Sequence, residues 1–400
     1  MTALRVAVAA LLAIGWVALA WLLAGTVVPD DLRLPHVDVD RVFGRRLVDR
    51  AEHFERFLFV VWILSQVVLL ATLGVYAKRG ARFARESAAG PIGTGMLLGM
   101  IGLAIVWLVQ LPFGLAALWW ERRHGISEVG YFEWAFGGWF ALGGEFVAIC
   151  IGLLVVMALA RWLGSWWWIP GALVFTAIVA LVVFVSPYLT TGLEPTDDVA
   201  LQRTYERFKR DQGVEGVPLR VEEVSGDTSQ ANAYAFGLGP SRRVVLWDTL
   251  LDGRFTNREV GVVMAHELGH QSSDHIAKGI GWFALFALPA TFLLMVVTRW
   301  RGGMGEPAAV PVALFAIALF QLAGAPAQNV VSRRMEAEAD WKALSTTRDP
   351  AAARGLFREF SVTSLGDPSP PTWAYLFLQT HPTLAQRVAM ATAWAKANGR

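Results

Sequence analysis

Glu259-Val260-Gly261-Val262-Val263-Met264-Ala265-His266-Glu267-Leu268-Gly269-His270 is the stretch on which the reading of the chain turns. Its composition predicts a helix ending in an HExxH pattern. Residues four apart share one face of a helix, so His266 and His270 present imidazole nitrogens to one point. Glu267 lies beside them, close enough to polarise a metal-bound water. Zinc accepts nitrogen and carboxylate ligands, and a catalytic site keeps one position open for water. Two imidazoles and an adjacent glutamate therefore match the needs of a zinc peptidase. The same five residues also arise by chance on solvated helix faces, so the rest of the chain must separate the two readings.

Composition points to a membrane. Of 400 residues, 55% are apolar and only 17% charged, and mean hydropathy is +0.44. The 18 tryptophans fit, because indole rings favour the membrane–water interface. A net charge of +2 makes no case for a nucleic-acid partner. The single cysteine, Cys150, excludes an internal disulfide and a cysteine-type zinc site, and reads as a packing residue.

Seven apolar runs have about the 20-residue length a bilayer requires. Five precede the HExxH segment: residues 6–28, 57–76, 94–119, 135–160 and a fifth that follows Trp166-Trp167-Trp168 and ends near residue 188. The first reads as a retained span rather than a signal peptide, because its apolar core is long and it lacks a convincing small-residue cleavage site. Pro112 is expected to kink the third, and Glu145 sits within the fourth. An intramembrane carboxylate is a site candidate by default; here it lines a polar chamber or pairs with an arginine near a helix end. The sixth and seventh runs, 281–298 and 307–325, form a hairpin, with Pro326 at its end or at a kink.

These runs divide the chain into a five-span part (1–189), a soluble segment (190–278), the hairpin (279–327) and a soluble helical tail (328–400). The fold class is mainly α, a polytopic membrane protein with a zincin-like catalytic part and a small β-sheet. Strands are expected at 219–224, 232–237 and 243–247, and helices at 197–212 and 328–346. A hairpin returns to the side it left, so both soluble segments share one side of the membrane. A site built from both is allowed.

A third zinc ligand is sought in Ser332-Arg333-Arg334-Met335-Glu336-Ala337-Glu338-Ala339-Asp340. Glu336 and Asp340 share a helix face; Glu338 points elsewhere. Glu336 is read as the ligand, with Asp340 behind it to orient a ligand or donate a proton late in the reaction. The alternative is a surface helix with scattered carboxylates.

Four segments together resemble the type I CAAX prenyl endopeptidases, seven-span membrane zinc proteases, and, over the soluble part, the shorter HtpX-type proteases. They are Asn232-Ala233-Tyr234-Ala235-Phe236-Gly237, the HExxH helix with His275 beyond it, Ser332-Arg333 with Glu336 and Asp340, and Thr380-His381-Pro382 with Arg387. Glu121-Arg122-Arg123-His124-Gly125-Ile126-Ser127 is a weaker match. The resemblance implies one zinc ion per chain held by His266, His270 and Glu336, with Glu267 as general base. It implies that His381 sits near the substrate carbonyl, that Arg387 holds the carboxylate cluster, and that Asp340 acts as a proton donor. The strand from Asn232 to Gly237 becomes the edge along which an extended substrate aligns. The implied partners are membrane lipid and a peptide or protein substrate, lipidated or membrane-associated. Gly226-Asp227-Thr228-Ser229-Gln230-Ala231 lacks the basic, serine-rich character of the eukaryotic members, which leaves prenyl specificity open.

Basic residues in short loops mark the cytoplasmic side. Placing the site there puts Arg41, Arg45, Arg46, Arg50, Arg56, Arg122 and Arg123 inside and leaves Lys78, Arg79, Arg82 and Arg85 outside; Arg203, Arg207, Lys278, Arg333 and Arg334 add to the inner count. Two competing classes fit less well. A membrane signal transducer carrying an HExxH domain needs a sizeable sensing domain after the last span. A transporter with a vestigial site needs more ionisable groups at the midplane than Glu145.

Overall fold

The computed structural model describes residues 3–399, with the side chains of residues 3–9, 12, 85 and 86 outside that description. Hydrocarbon offers backbone N–H and C=O groups no partner, so apolar runs of this length must satisfy them internally and become helices. The first five are α1 (Ala3–Leu23), α2 (Arg45–Arg79), α3 (Gly90–Arg123), α4 (Tyr131–Leu163) and α5 (Trp168–Leu189). The polar part adds α6 (Val199–Gln212) and α7 (Asn257–Ser272). The hairpin is α8 (His275–Thr298) and α9 (Val310–Thr347).

Six helices among the described residues are long and apolar enough to cross a membrane. The seven expected spans exceed that number by one, and the difference is the first. Only Ala13–Leu23 of α1 qualifies, as a shorter apolar helix, and expected residues 6–9 and 12 fall outside the described side chains. Pro326 neither ends α9 nor separates it from the polar helix expected over 328–346; both lie within one continuous helix of 38 residues. A proline removes one intrahelical hydrogen bond, but long helices near membranes tolerate that loss. At 1.5 Å per residue α9 is about 57 Å long, against a hydrocarbon core of about 30 Å. The helix is therefore long enough to cross with its apolar N-terminal part and still carry its polar C-terminal part beyond the hydrocarbon. Pro112 likewise lies inside a continuous α3. Glu145 is exposed on α4 and has no ion pair among the described residues; Arg161, further along that helix, donates to the Gly305 carbonyl at 3.0 Å instead.

The soluble part holds a four-stranded sheet: β1 (Leu193–Glu194), β2 (Leu219–Glu222), β3 (Ala233–Phe236) and β4 (Arg243–Trp247), in the order β1-β2-β4-β3. β2 runs parallel to β4, and the other pairs are antiparallel. β1, two residues long, is too short to leave a periodicity in the sequence. β3 forms one edge, with Tyr234 opposite Val245. Ala233 and Ala235 turn to the core, while Tyr234 and Phe236 meet edge-on at 5.2 Å. Gly237 ends the strand at φ +89, where a Cβ would collide with the Ser241 carbonyl. The tail supplies α10 (Pro350–Ser364), α11 (Thr372–Phe377) and α12 (Leu384–Ala397). Sheet, tail and α9 enclose α7 in one core that includes Leu246, Met264, Leu268, Leu344, Leu356 and Trp394. The α3–α4 loop joins this body to the membrane part through a bridge between Ser127 and Thr228.

Candidate active site

α7 begins with a reciprocal cap. Thr256 Oγ1 accepts from the Glu259 N–H at 3.3 Å, and the Glu259 carboxylate accepts from the Thr256 N–H at 2.8 Å. This satisfies donors that a helix start leaves free. The helix then runs through the core with His266 and Glu267 buried. Gly269 decides how close α9 comes: a Cβ at this position would lie 3.2 Å from both Cα and O of Ala339. With no side chain in the way, the two backbones approach. Glu336 and Asp340, on one face of α9, therefore stand over the histidines.

The polar contacts fix which atoms are free. His266 Nδ1 lies 2.9 Å from Asp340 Oδ1. Arg387 holds the same carboxylate through Nε at 2.8 Å and Nη2 at 2.6 Å. An ionised carboxylate only accepts, so His266 Nδ1 donates to Asp340, which leaves Nε2 as the ring atom turned toward Glu336 and His270. His270 is held by a second chain. Its Nδ1 faces His275 Nδ1 at 3.0 Å, His275 Nε2 lies 3.2 Å from Glu338, and Lys278 approaches that carboxylate at 3.6 Å. Glu338 accepts from His275 Nε2, so neutral His275 accepts from His270 Nδ1. That leaves His270 Nε2 as the ring atom turned toward Glu336. The two Nε2 atoms stand 3.1 Å apart, with Glu336 oxygens 3.2 Å from His266 and 3.5 Å from His270.

Two imidazole nitrogens and a carboxylate turned toward one point suit a cation. Ligand atoms of His266, His270 and Glu336 all fall within 4.8 Å of one another. Glu336 Oε2 is buried, and the groups within reach of it are imidazole nitrogens, His266 Nε2 at 3.2 Å and His381 Nε2 at 3.1 Å, so the charge of this carboxylate is answered only from the site itself. The donor set fits a divalent metal of the zinc type.

His381 Nε2 lies 3.1 Å from Glu336 Oε2 on a half-exposed side chain. Its segment is held to α9: Arg333 donates to the Tyr375 and Gln379 carbonyls at 2.8 and 2.7 Å, and Asn329 to the Leu376 carbonyl at 3.0 Å. Glu267 has no hydrogen bond or ion pair among the described residues. Arg387 is buried over the Phe357 ring at 4.3 Å. Burial alone would lower its pKa, but Asp340, Glu336 and Glu267 hold it above its ordinary value. Gln271 reaches the Phe236 and Arg243 carbonyls at 3.5 Å, which sets β3 beside the helix that carries the histidines. Asn232 accepts from the Trp247 N–H at 3.0 Å at the entry to that strand.

The sequence-predicted residues thus converge from four elements. Local spacing assigns no role to His275, Glu338, Gly269 or Asn329. The five-residue step from His270 to His275 was the available signal for the second chain.

A membrane-spanning helical body carrying an HExxH helix opposed by a carboxylate defines an integral-membrane metallopeptidase. The chain belongs to Peptidase family M48, whose profile matches residues 195–395. It is 24% identical over 366 residues to a Bacillus subtilis protein named uncharacterized metalloprotease YhfN, covering 86% of this chain and 84% of that one. It is 26% identical over 309 residues to a CAAX prenyl protease 1 homolog of Arabidopsis thaliana, covering 70% and 69%. The crystal structure of S. mikatae Ste24p superposes over 98% of this chain and 99% of that one with a TM-score of 0.72 at 19% identity, which shows a shared fold.

Proposed function

We propose that this multi-pass membrane metalloprotease is a zinc endopeptidase with one ion held by His266, His270 and Glu336. The observation that carries the reading is the pair of facing Nε2 atoms, 3.1 Å apart, with the buried Glu336 carboxylate 3.2 and 3.5 Å from them. Zinc there supplies a bound water acidified to near neutrality and a polarised scissile carbonyl. Glu267, unencumbered by other contacts, takes the proton of the attacking water and delivers it to the leaving amine. His381 donates a hydrogen bond to the carbonyl oxygen as negative charge develops on it. Asp340 orients His266 and is itself held by Arg387; with Arg387 and His266 on its oxygens, it is better suited to that role than to giving up a proton. The free edge of β3, residues 232–237, aligns an extended substrate by main-chain hydrogen bonds. The arginine balance supports a cytoplasmic site.

The substrate is a peptide or protein presented at the membrane. A prenylated C-terminus is the reading that the CAAX-type relatives support. Turnover of unlipidated membrane proteins is the second, and one observation favours it. Thr228 and Ser229 spend their hydroxyls on the Ile126 and Gly125 carbonyls, each at 2.8 Å, so this segment is committed to the α3–α4 loop. The test is cleavage of matched prenylated and unprenylated peptides in detergent, with and without a zinc chelator. Cleavage is expected to stop with chelator and to fall about 10²–10⁴-fold in Glu267→Gln. Stoichiometric zinc retained by Glu336→Ala would overturn the ligand assignment.

A further inference from the structure

The hairpin turn between α8 and α9 lies at the membrane face opposite the histidines. α8 has 24 residues, which places the turn about 36 Å from its start beside the site. A concavity of about 520 Å³ opens there between the end of α2 and the turn, lined by Lys78, Arg79, Arg82, Arg301 and Glu306. Four cations thus face one carboxylate. Glu306 is engaged on its far side with Arg161 at 3.8 Å. None of the four cations has a carboxylate partner among the described residues. The Arg301 guanidinium carbon lies 4.1 Å from the centre of the Trp300 ring, with Nε buried and without a hydrogen-bond partner. A buried guanidinium N–H left open in this way calls for an acceptor oxygen from outside the chain.

The level of the pocket says what brings that oxygen. Phe83 and Trp300 flank it, 44% and 64% exposed, and Val75, four residues before Arg79 on α2, is 55% exposed. Exposed aromatic rings beside basic groups mark the headgroup layer, and an exposed apolar face beneath them lies against acyl chains. Basic pockets between membrane helices suit acidic lipid headgroups. We infer that this pocket binds the phosphodiester headgroup of an anionic phospholipid, with the Arg301 N–H groups as its hydrogen-bond donors and Lys78, Arg79 and Arg82 as its charge complement.

Native mass spectrometry of the full chain in detergent tests this with phosphatidylglycerol, phosphatidylcholine and inorganic phosphate as probes. Phosphatidylglycerol should bind about tenfold or more tightly than phosphatidylcholine, whose headgroup carries its own cation. Lys78→Gln/Arg82→Gln/Arg301→Gln should abolish that preference. Arg203→Gln/Arg207→Gln, on the catalytic side, should keep it, and Glu306→Gln should raise it. Should the triple variant fail to fold, Arg82→Gln alone, at an exposed position, should show a partial loss. Equal binding of the two lipids by the parent chain, or a preference surviving the triple variant, overturns the inference. So does inorganic phosphate displacing the lipid at equal concentration, because the pocket would then be a site for free anions.

Discussion

The two ends of the α8–α9 hairpin handle charge in opposite ways. At the catalytic end, buried and half-buried ionisable groups are tied to one another in two chains, Arg387–Asp340–His266 and Lys278–Glu338–His275–His270. The atoms left over are those facing the proposed metal. At the opposite end, four cations line a pocket with one carboxylate, and none has an acidic partner among the described residues. A charge taken out of water inside a protein must be answered by the chain itself, because nothing else reaches it. A charge at the headgroup layer is answered by lipid. The same element therefore ends in a closed network on one side and an open one on the other, and mutations should respond accordingly.

The largest expected effect is Arg387→Ala. It leaves the buried Asp340 carboxylate without its counter-ion, a change that costs about 3–5 kcal/mol for a buried pair. A thermal melt in detergent reads it, and Arg82→Gln at the far end should shift the same melt by less than about 0.5 kcal/mol. Equal shifts would erase the contrast between the two ends. His275→Ala should be milder and more selective. It frees the His270 ring to rotate without touching a proposed ligand, and loss of such an orienting partner lowers metal affinity about 10–100-fold. Titration against a chromophoric chelator measures it. An unchanged affinity would mean that the second chain is only packing.

Much of this was legible in the sequence where the signal is local. Apolar runs located the spans, and i, i+4 spacing located His266 with His270 and Glu336 with Asp340. What local spacing cannot show is that the two helices meet: Asp340 lies 74 positions from His266, and they are joined in the sequence only by the need of a metal for a third ligand and by the resemblance to a known family. Glu338 was correctly placed on another face of its helix, but that face proved to point at His275. Pro326 suggested a break because a proline forfeits a backbone hydrogen bond; tertiary packing outweighed that local cost and kept α9 whole. Gly269 left no trace at all, since the need for a missing side chain depends on where Ala339 arrives.

Gly269→Ala sharpens the contrast at the level of the backbone. The added methyl would sit 3.2 Å from Ala339 Cα and O, and both are main-chain atoms that cannot swing aside. α9 must therefore move by a few tenths of an ångström, or both helices must strain, and overpacking of this kind costs about 1–3 kcal/mol. The melt should fall by that amount, and zinc retention should fall with it, because Glu336 and Asp340 ride on the displaced helix. A stability loss with unchanged zinc affinity would separate helix packing from ligand placement.

The smallest effect concerns a charge at the catalytic end that is not buried. Asp349 pairs with Arg258 at 2.5 Å, on an arginine side chain 70% exposed, and its Oδ1 caps α10 by accepting from the Ala352 N–H at 3.0 Å. If burial rather than location governs the response, this pair should behave like the open end. Asp349→Ala removes the cap and should cost about 1 kcal/mol, whereas Asp349→Asn keeps a capping oxygen and loses only the charge. Partial burial would raise the Asp349 pKa, but Arg258 and the Ala352 N–H hold it below the ordinary carboxylate range. A carboxyl lowered on folding contributes stability that is fully present above its unfolded value of about 3.9 and is lost as pH falls through the folded value. The gap between parent and Asp349→Asn melts should therefore be small at neutral pH, shrink further with added salt, and close only below about pH 4. A large, salt-insensitive gap would mean that this pair belongs with the closed network, and that position in the molecule, not burial, decides how charge is held.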